Sequence, residues 1–200
     1  FLERIGDKLE QNIWKSDIYN WEQFLKRSYI KGIAKHRKFY YNRKILSARK
    51  ALYNSDSSYF LNILPQSEMW RLYDFFKEDA VFLDIETTGL SKNNDDITVF
   101  GLYDGINTKM MIKGINLDYT ALKKELQKYK LIVTFNGAAF DIPFIEKRYP
   151  NLLPNIPNFD VKSATDKLKL KGGLKKIEKL LGIKRSSVVE KFYGGDALTL

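Results

Sequence analysis

A chain of 200 residues with 44% hydrophobic content can fill one full-sized core, or one core with a smaller appendage. It has no cysteine, which excludes disulfides, zinc–thiolate sites and thiol nucleophiles; any metal must be held by oxygen ligands or by the single histidine, His36, which favours hard cations such as Mg²⁺ or Mn²⁺. The net charge of +10 suits a partner made of phosphates, although a lysine-rich composition alone accounts for it equally well. No apolar run approaches the ~20 residues of a membrane span, and Phe1-Leu2-Glu3-Arg4 lacks a signal peptide's layout, so no membrane partner and a cytoplasmic location are expected.

Residues 1–77 carry helical periodicity and almost no strand signal, with Trp14, Ile18, Trp21, Phe24 and Leu25 at three- and four-residue steps that read as core. Lysines and arginines crowd residues 26–50, either as a solvated helix surface or as a phosphate track. Pro65-Gln66-Ser67-Glu68 marks a turn before a short helix over Glu68 to Lys77. From residue 78 to 200 the texture changes. Strands are expected at Ala80 to Ile85, Ile97 to Leu102 and Thr108 to Ile112, the last two joined at Asp104-Gly105. There follow a helix over Leu117 to Tyr129, a buried strand over Leu131 to Phe135, a helix from Asp141 to Arg148, an extended piece at Asn158 to Val161, and a basic helix from Leu174 to Leu181. Three hairpin strands followed by alternating helix and strand is the ribonuclease-H-like order, an α/β fold with a mixed sheet flanked by helices and preceded here by a small all-helical region.

In Asp84-Ile85-Glu86 one residue separates two carboxylates, so a strand projects both to one face and Ile85 to the other. Neighbouring carboxylates repel, and a divalent cation between them would offset the repulsion. The plainer reading, a polar edge strand, fits poorly beside the apolar run of residues 80–83. Asp141 follows the second apolar strand through Asn136-Gly137-Ala138-Ala139-Phe140; by itself it reads as a helix N-terminal cap.

Together, Asp84-Ile85-Glu86-Thr87-Thr88-Gly89-Leu90 and Asn136-Gly137-Ala138-Ala139-Phe140-Asp141-Ile142-Pro143 resemble the first and second motifs of the DEDD exonuclease superfamily. The second motif is most similar to its form in family B DNA polymerases and in YprB-type ribonuclease-H-like proteins, and Glu68, Trp70, Arg71 and Leu72 also resemble the YprB type. The resemblance implies 3′ to 5′ hydrolysis of DNA or RNA by two Mg²⁺ or Mn²⁺ ions, acting on single-stranded or frayed 3′ ends. It implies that Asp84 bridges the ions while Glu86 and Asp141 each hold one. Thr87, Thr88 and Leu90 would line the terminal nucleotide, and Asn136 and Phe140 would support the site. Lys175 and Lys176 are candidates for phosphate contacts.

The chain departs from the family at the third motif. A fourth aspartate four residues after a Tyr, or five after a His, does not occur after Phe159; Asp160, Asp166 and Asp196 are the carboxylates downstream. Asp160, at the end of an extended piece, is placed to approach the site, but reads first as a loop cap. The fourth carboxylate is therefore expected beyond Leu200, and residues 1–200 alone are expected to hydrolyse poorly. The alternative to an exonuclease is a nucleic-acid-binding module with an inactive or incomplete nuclease core. A phosphatase with an aspartate nucleophile would want a second Asp at Glu86. Ile5-Gly6-Asp7 through Trp14 resembles the start of a helix-hairpin-helix element, with Arg4 and Asp17 where glycines are expected.

Overall fold

The computed structural model describes residues 2–185 in two compact units, residues 1–63 and a second beginning at Leu64. The first unit contains α1 (Asp7–Trp14), α2 (Trp21–Lys26) and α3 (Lys35–Tyr53). Its core gathers Ile13, Ile18, Phe24, Ile30 and Ile33 around Tyr41 and Ile45 of α3. Trp14, assigned to the core on periodicity, is instead 47% exposed. Arg4 and Asp17 both adopt left-handed backbone (φ 65° and 57°), the region a glycine enters at lower cost.

The second unit opens with a 3₁₀ helix over Gln66–Leu72, followed by α4 (Tyr73–Phe76). A continuous α-helix over Glu68 to Lys77 is thus replaced by a tighter turn and a single α turn. The segment belongs with the sheet rather than with the helical region, because Gln66 Nε2 donates to the Asn158 carbonyl (2.8 Å) and Glu68 ion-pairs with Lys167. The sheet is five-stranded and mixed, in the order β3-β2-β1-β4-β5, with β1 (Ala80–Thr87), β2 (Ile97–Tyr103), β3 (Thr108–Ile112), β4 (Leu131–Thr134) and β5 (Asn158–Asp160). The pairs β1/β2 and β2/β3 are antiparallel; β1/β4 and β4/β5 are parallel. The remaining elements are α5 (Tyr119–Leu126), α6 (Asp141–Arg148), α7 (Val161–Lys167) and α8 (Leu174–Leu180). Periodicity did not reveal α7: its seven residues, VKSATDK, hold few apolar positions, and its start is set by the Asp160 cap.

Val81, Leu83 and Ile85 face one side of β1 and enter a core with Ile97, Phe100, Leu122, Leu126, Phe144 and Ile145. Burial alternates along Leu83, Asp84, Ile85 and Glu86, with the two acids on the open side. β1 is central, paired to β2 over most of its length but to β4 only from Ala80 to Phe82. Among the described residues, its β4 side has no strand partner past Phe82. That gap positions the site.

Candidate active site

β4 ends at Thr134, and the chain turns through Asn136, in left-handed backbone (φ 65°), before α6 begins. Gly137 fits this turn because a β-carbon there would overlap the Thr134 side chain. The turn returns Asp141 to β1 beyond the last β4 pairing, where the Ile85 N–H donates to Asp141 Oδ1 (3.2 Å). The N-cap position of α6 is Phe140, and no side chain caps the helix. Asp141 is therefore not the cap that its position alone suggests; its carboxylate serves as a hydrogen-bond acceptor for the central strand.

Asp84 and Glu86 flank that amide in sequence and lie on the open face of β1, whereas Asp141 is 5% exposed. Desolvation pushes the Asp141 carboxyl up to about 6, the negative charge of Asp84 adds to the rise, and the amide of Asp141 itself and then that of Ile85 oppose it. Asp84 is raised by desolvation, against the pull of the same amide. Glu86 is raised by desolvation and then by Asp84. Asp84 is thus electrostatically coupled to both other acids, and no lysine or arginine figures among the leading influences on any of the three. All-oxygen, anionic donors suit a hard divalent ion. Among the described residues, no three such side chains already stand as a closed ligand group.

Asp160, at the end of β5, is buried and fully used. Its Oδ1 accepts from the Asn136 N–H (2.8 Å) and the Lys162 N–H (3.0 Å), and its Oδ2 accepts from the Ala138 N–H (3.0 Å). It caps α7 and at the same time clamps the turn that delivers Asp141. The sequence signal was present, an acid ending a strand before a helix, but nothing local indicated that two of its three donors belong to a turn 22 and 24 residues earlier. A second tie was also hidden: Arg148, in the last turn of α6, ion-pairs with Asp96, which also holds Lys113 (2.7 Å). Helix α6 is therefore held toward β1 at one end and toward the residues preceding β2 at the other.

After β1 the Thr87 hydroxyl donates to the Gly89 carbonyl (2.7 Å), and the Thr88 hydroxyl accepts from the Asp96 N–H (3.0 Å). Asp95 accepts from the Ser91 N–H (2.7 Å), and a β-carbon on Gly89 would overlap its carboxylate. Leu90 projects from this turn 86% exposed. Asn136 shapes the second turn through its backbone, while Phe140 packs on Phe144 (ring centroids 5.5 Å apart). Lys175 and Lys176 lie on the exposed part of α8, whose buried residue is Ile177. His36 is exposed on α3, and Asp196 lies outside the described residues.

No curated protein matches the chain. Among solved structures, it is similar to Brucella melitensis NrnC at 23% identity (TM-score 0.43), covering 57% of this chain and 58% of that one. A family B DNA polymerase from the archaeon Pyrobaculum calidifontis is 16% identical (TM-score 0.44), with 55% of this chain and 19% of that one covered. The Nibbler EXO domain of Aedes aegypti is 10% identical (TM-score 0.45), with 63% and 69% covered. The chain thus spans less than two thirds of the length of NrnC. The family model described as the RNase H superfamily matches residues 81–198, more than half of the chain, and begins within the strand that carries Asp84 and Glu86. With the mixed sheet and its open-edged carboxylates, this match establishes that the chain belongs to the RNase H superfamily.

Proposed function

We propose that this chain is a metal-dependent 3′ to 5′ exonuclease of the DEDD type, which hydrolyses phosphodiester bonds at single-stranded or frayed DNA or RNA 3′ ends. The supporting observation is the meeting of Asp141 with the Asp84–Ile85 peptide on the unpaired side of β1, where the negative charge of Asp84 raises the carboxyls of both Asp141 and Glu86. Such charge weakens the fold, and a cation taken from solution offsets it. Asp84, coupled to both other acids, would hold the Mg²⁺ or Mn²⁺ ions together with Glu86 and Asp141. Bound ions supply Lewis acidity and lower the pKa of coordinated water.

The other groups act on the substrate. Leu90 supplies an apolar surface for the terminal base, and the turn at Thr87 and Thr88 supplies polar atoms to the same nucleotide. Phe140 and Asn136 keep the second turn in shape, and Lys175 and Lys176 of α8 contact phosphates. Asp160 is committed to three amides, so the group that orients the attacking water is assigned outside the described residues.

The absence of a closed three-ligand group among the described residues favours a second reading, a nucleic-acid-binding module with an inactive core. Single strands labelled at the 3′ or the 5′ end, incubated with Mg²⁺ or Mn²⁺, separate the two. Exonuclease action releases the 3′ label at once and shortens the 5′-labelled strand stepwise, and Asp84→Asn slows both at least ~100-fold. Digestion from the 5′ end, or digestion indifferent to Asp84, overturns the proposal; metal binding measured by calorimetry without hydrolysis supports the binding module.

A further inference from the structure

Helix α3 buries Lys38, Tyr41, Ile45, Ala48 and Ala51 along one side. On the opposite side stand Phe39, Arg43, Leu46, Lys50 and Tyr53, whose spacing of three or four residues puts them in one stripe down the helix axis. The apolar members are strongly exposed: Phe39 64%, Leu46 52% and Tyr53 75%. They alternate with cations that enter no ion pair among the described residues, whereas Lys44 at the margin is paired with Glu3. From Phe39 to Tyr53 the stripe is about 21 Å long at 1.5 Å per residue. Residues 1–63 hold thirteen lysines and arginines against six acids, and α3 carries seven of those cations and no acid.

Isolated exposed apolar residues are ordinary, but two aromatic rings, a leucine and two free cations in strict alternation are not accounted for by the packing of this unit. Cations spaced between flat apolar side chains match single-stranded nucleic acid, whose bases stack on rings while its phosphates meet the charges. We propose that this face of α3 is a binding site for single-stranded nucleic acid, with Phe39 and Tyr53 stacking bases and Arg43 and Lys50 contacting phosphates. A protein partner would not require the cations, and an anionic membrane surface would not require ring faces. The choice of ligand is favoured by the proposed nuclease function, but the site stands on residues that take no part in hydrolysis.

The test is fluorescence anisotropy of the whole chain with labelled 20-mers of dT and of rU in EDTA, so that binding is read without hydrolysis. Replacing both rings (Phe39→Ser with Tyr53→Ser) is expected to weaken binding at least tenfold, while Phe39→Tyr with Tyr53→Phe keeps wild-type affinity. Arg43→Gln with Lys50→Gln is expected to flatten the slope of log K against log salt by about 1.4, two phosphate contacts at ~0.7 each. Binding of dT alone or rU alone identifies the natural strand and supports the site. Unchanged affinity in the ring variant, or binding to phosphatidylserine vesicles with none to either 20-mer, overturns it. Hydrolysis dependent on Asp84 is scored separately, so loss of the nuclease reading leaves this result standing, and the reverse also holds.

Discussion

On the proposed metal-binding reading, Asp141 trades stability for a ligand's charge. Its carboxyl titrates at about 6 when folded, against an ordinary value near 4. A carboxyl raised in this way destabilises the native state once it must ionise: as pH climbs from about 4 to about 6 the unfolded chain loses its proton first, and stability falls until both states are ionised. The loss is about 3 kcal/mol at neutral pH. Asp141→Asn keeps an oxygen acceptor for the Ile85 N–H and removes the charge. In EDTA at pH 7.5 it is therefore expected to raise the unfolding free energy by ~1–3 kcal/mol in urea titration; on the proposed metal-binding reading, Mn²⁺ is expected to stabilise the wild type and not the variant. A variant less stable than wild type in EDTA would show that the Asp141 charge is compensated. Asp160 makes the opposite case. Asp160→Ala orphans three backbone donors and is expected to cost ~2–4 kcal/mol, with partial recovery in Asp160→Asn, because one amide oxygen can still accept where two carboxylate oxygens did. Equal losses in the two variants, measured by urea denaturation, would remove the clamp from the account of the second turn.

At the scale of elements, the sheet edge and its helix are joined by a titratable tie. Glu125 of α5 accepts from Lys109 of β3 (2.6 Å), from Lys128 (2.8 Å) and from the Tyr129 hydroxyl (3.0 Å). These contacts, that of Lys109 foremost, pull its carboxyl down to about 2. A carboxyl depressed on folding stabilises the native state above its unfolded pKa and loses that contribution as pH falls toward the folded value. The wild type should thus lose up to about 3 kcal/mol between pH 4.5 and 2 that Glu125→Gln does not lose. Parallel thermal scans of the two proteins across that range decide it; matching curves would show that the tie contributes nothing. The second turn offers another element-scale test. Gly137→Ala brings a β-carbon against Thr134, so the turn has to move and Asp141 with it. The expected result is lost Mn²⁺ response at a stability cost of ~1–3 kcal/mol, read by calorimetry and urea titration.

At the scale of the molecule, the core that supports the carboxylates is drawn from residues 81–152, within the second unit. A piece starting at Leu64 is therefore expected to fold, to keep its near-ultraviolet dichroism and to respond to Mn²⁺, while binding single strands with a shallower salt dependence than the whole chain. A piece that lacks fixed tertiary signals would show that the sheet depends on residues 1–63.

The sequence by itself determined the architecture and the identity of the paired acids. Apolar runs of strand length, the Asp104-Gly105 turn and the alternation of helix with strand specify the mixed sheet, and a period of two places Asp84 and Glu86 on one face whatever surrounds them. These are local properties, set by propensity and periodicity. Contacts made across long stretches of chain had no such signature. Whether Asp141 caps its helix or turns to β1 depends on β4 stopping alongside β1 at Phe82, which leaves the Ile85 N–H, 56 residues before Asp141 in the numbering, open to its carboxylate. The Asp160 clamp, the Arg148–Asp96 tie and the assignment of Gln66–Leu72 to the sheet unit are likewise decided by packing between distant segments. Only tertiary structure brings their partners within hydrogen-bond reach, and only there do desolvation and the charge of Asp84 raise the carboxyls of Glu86 and Asp141.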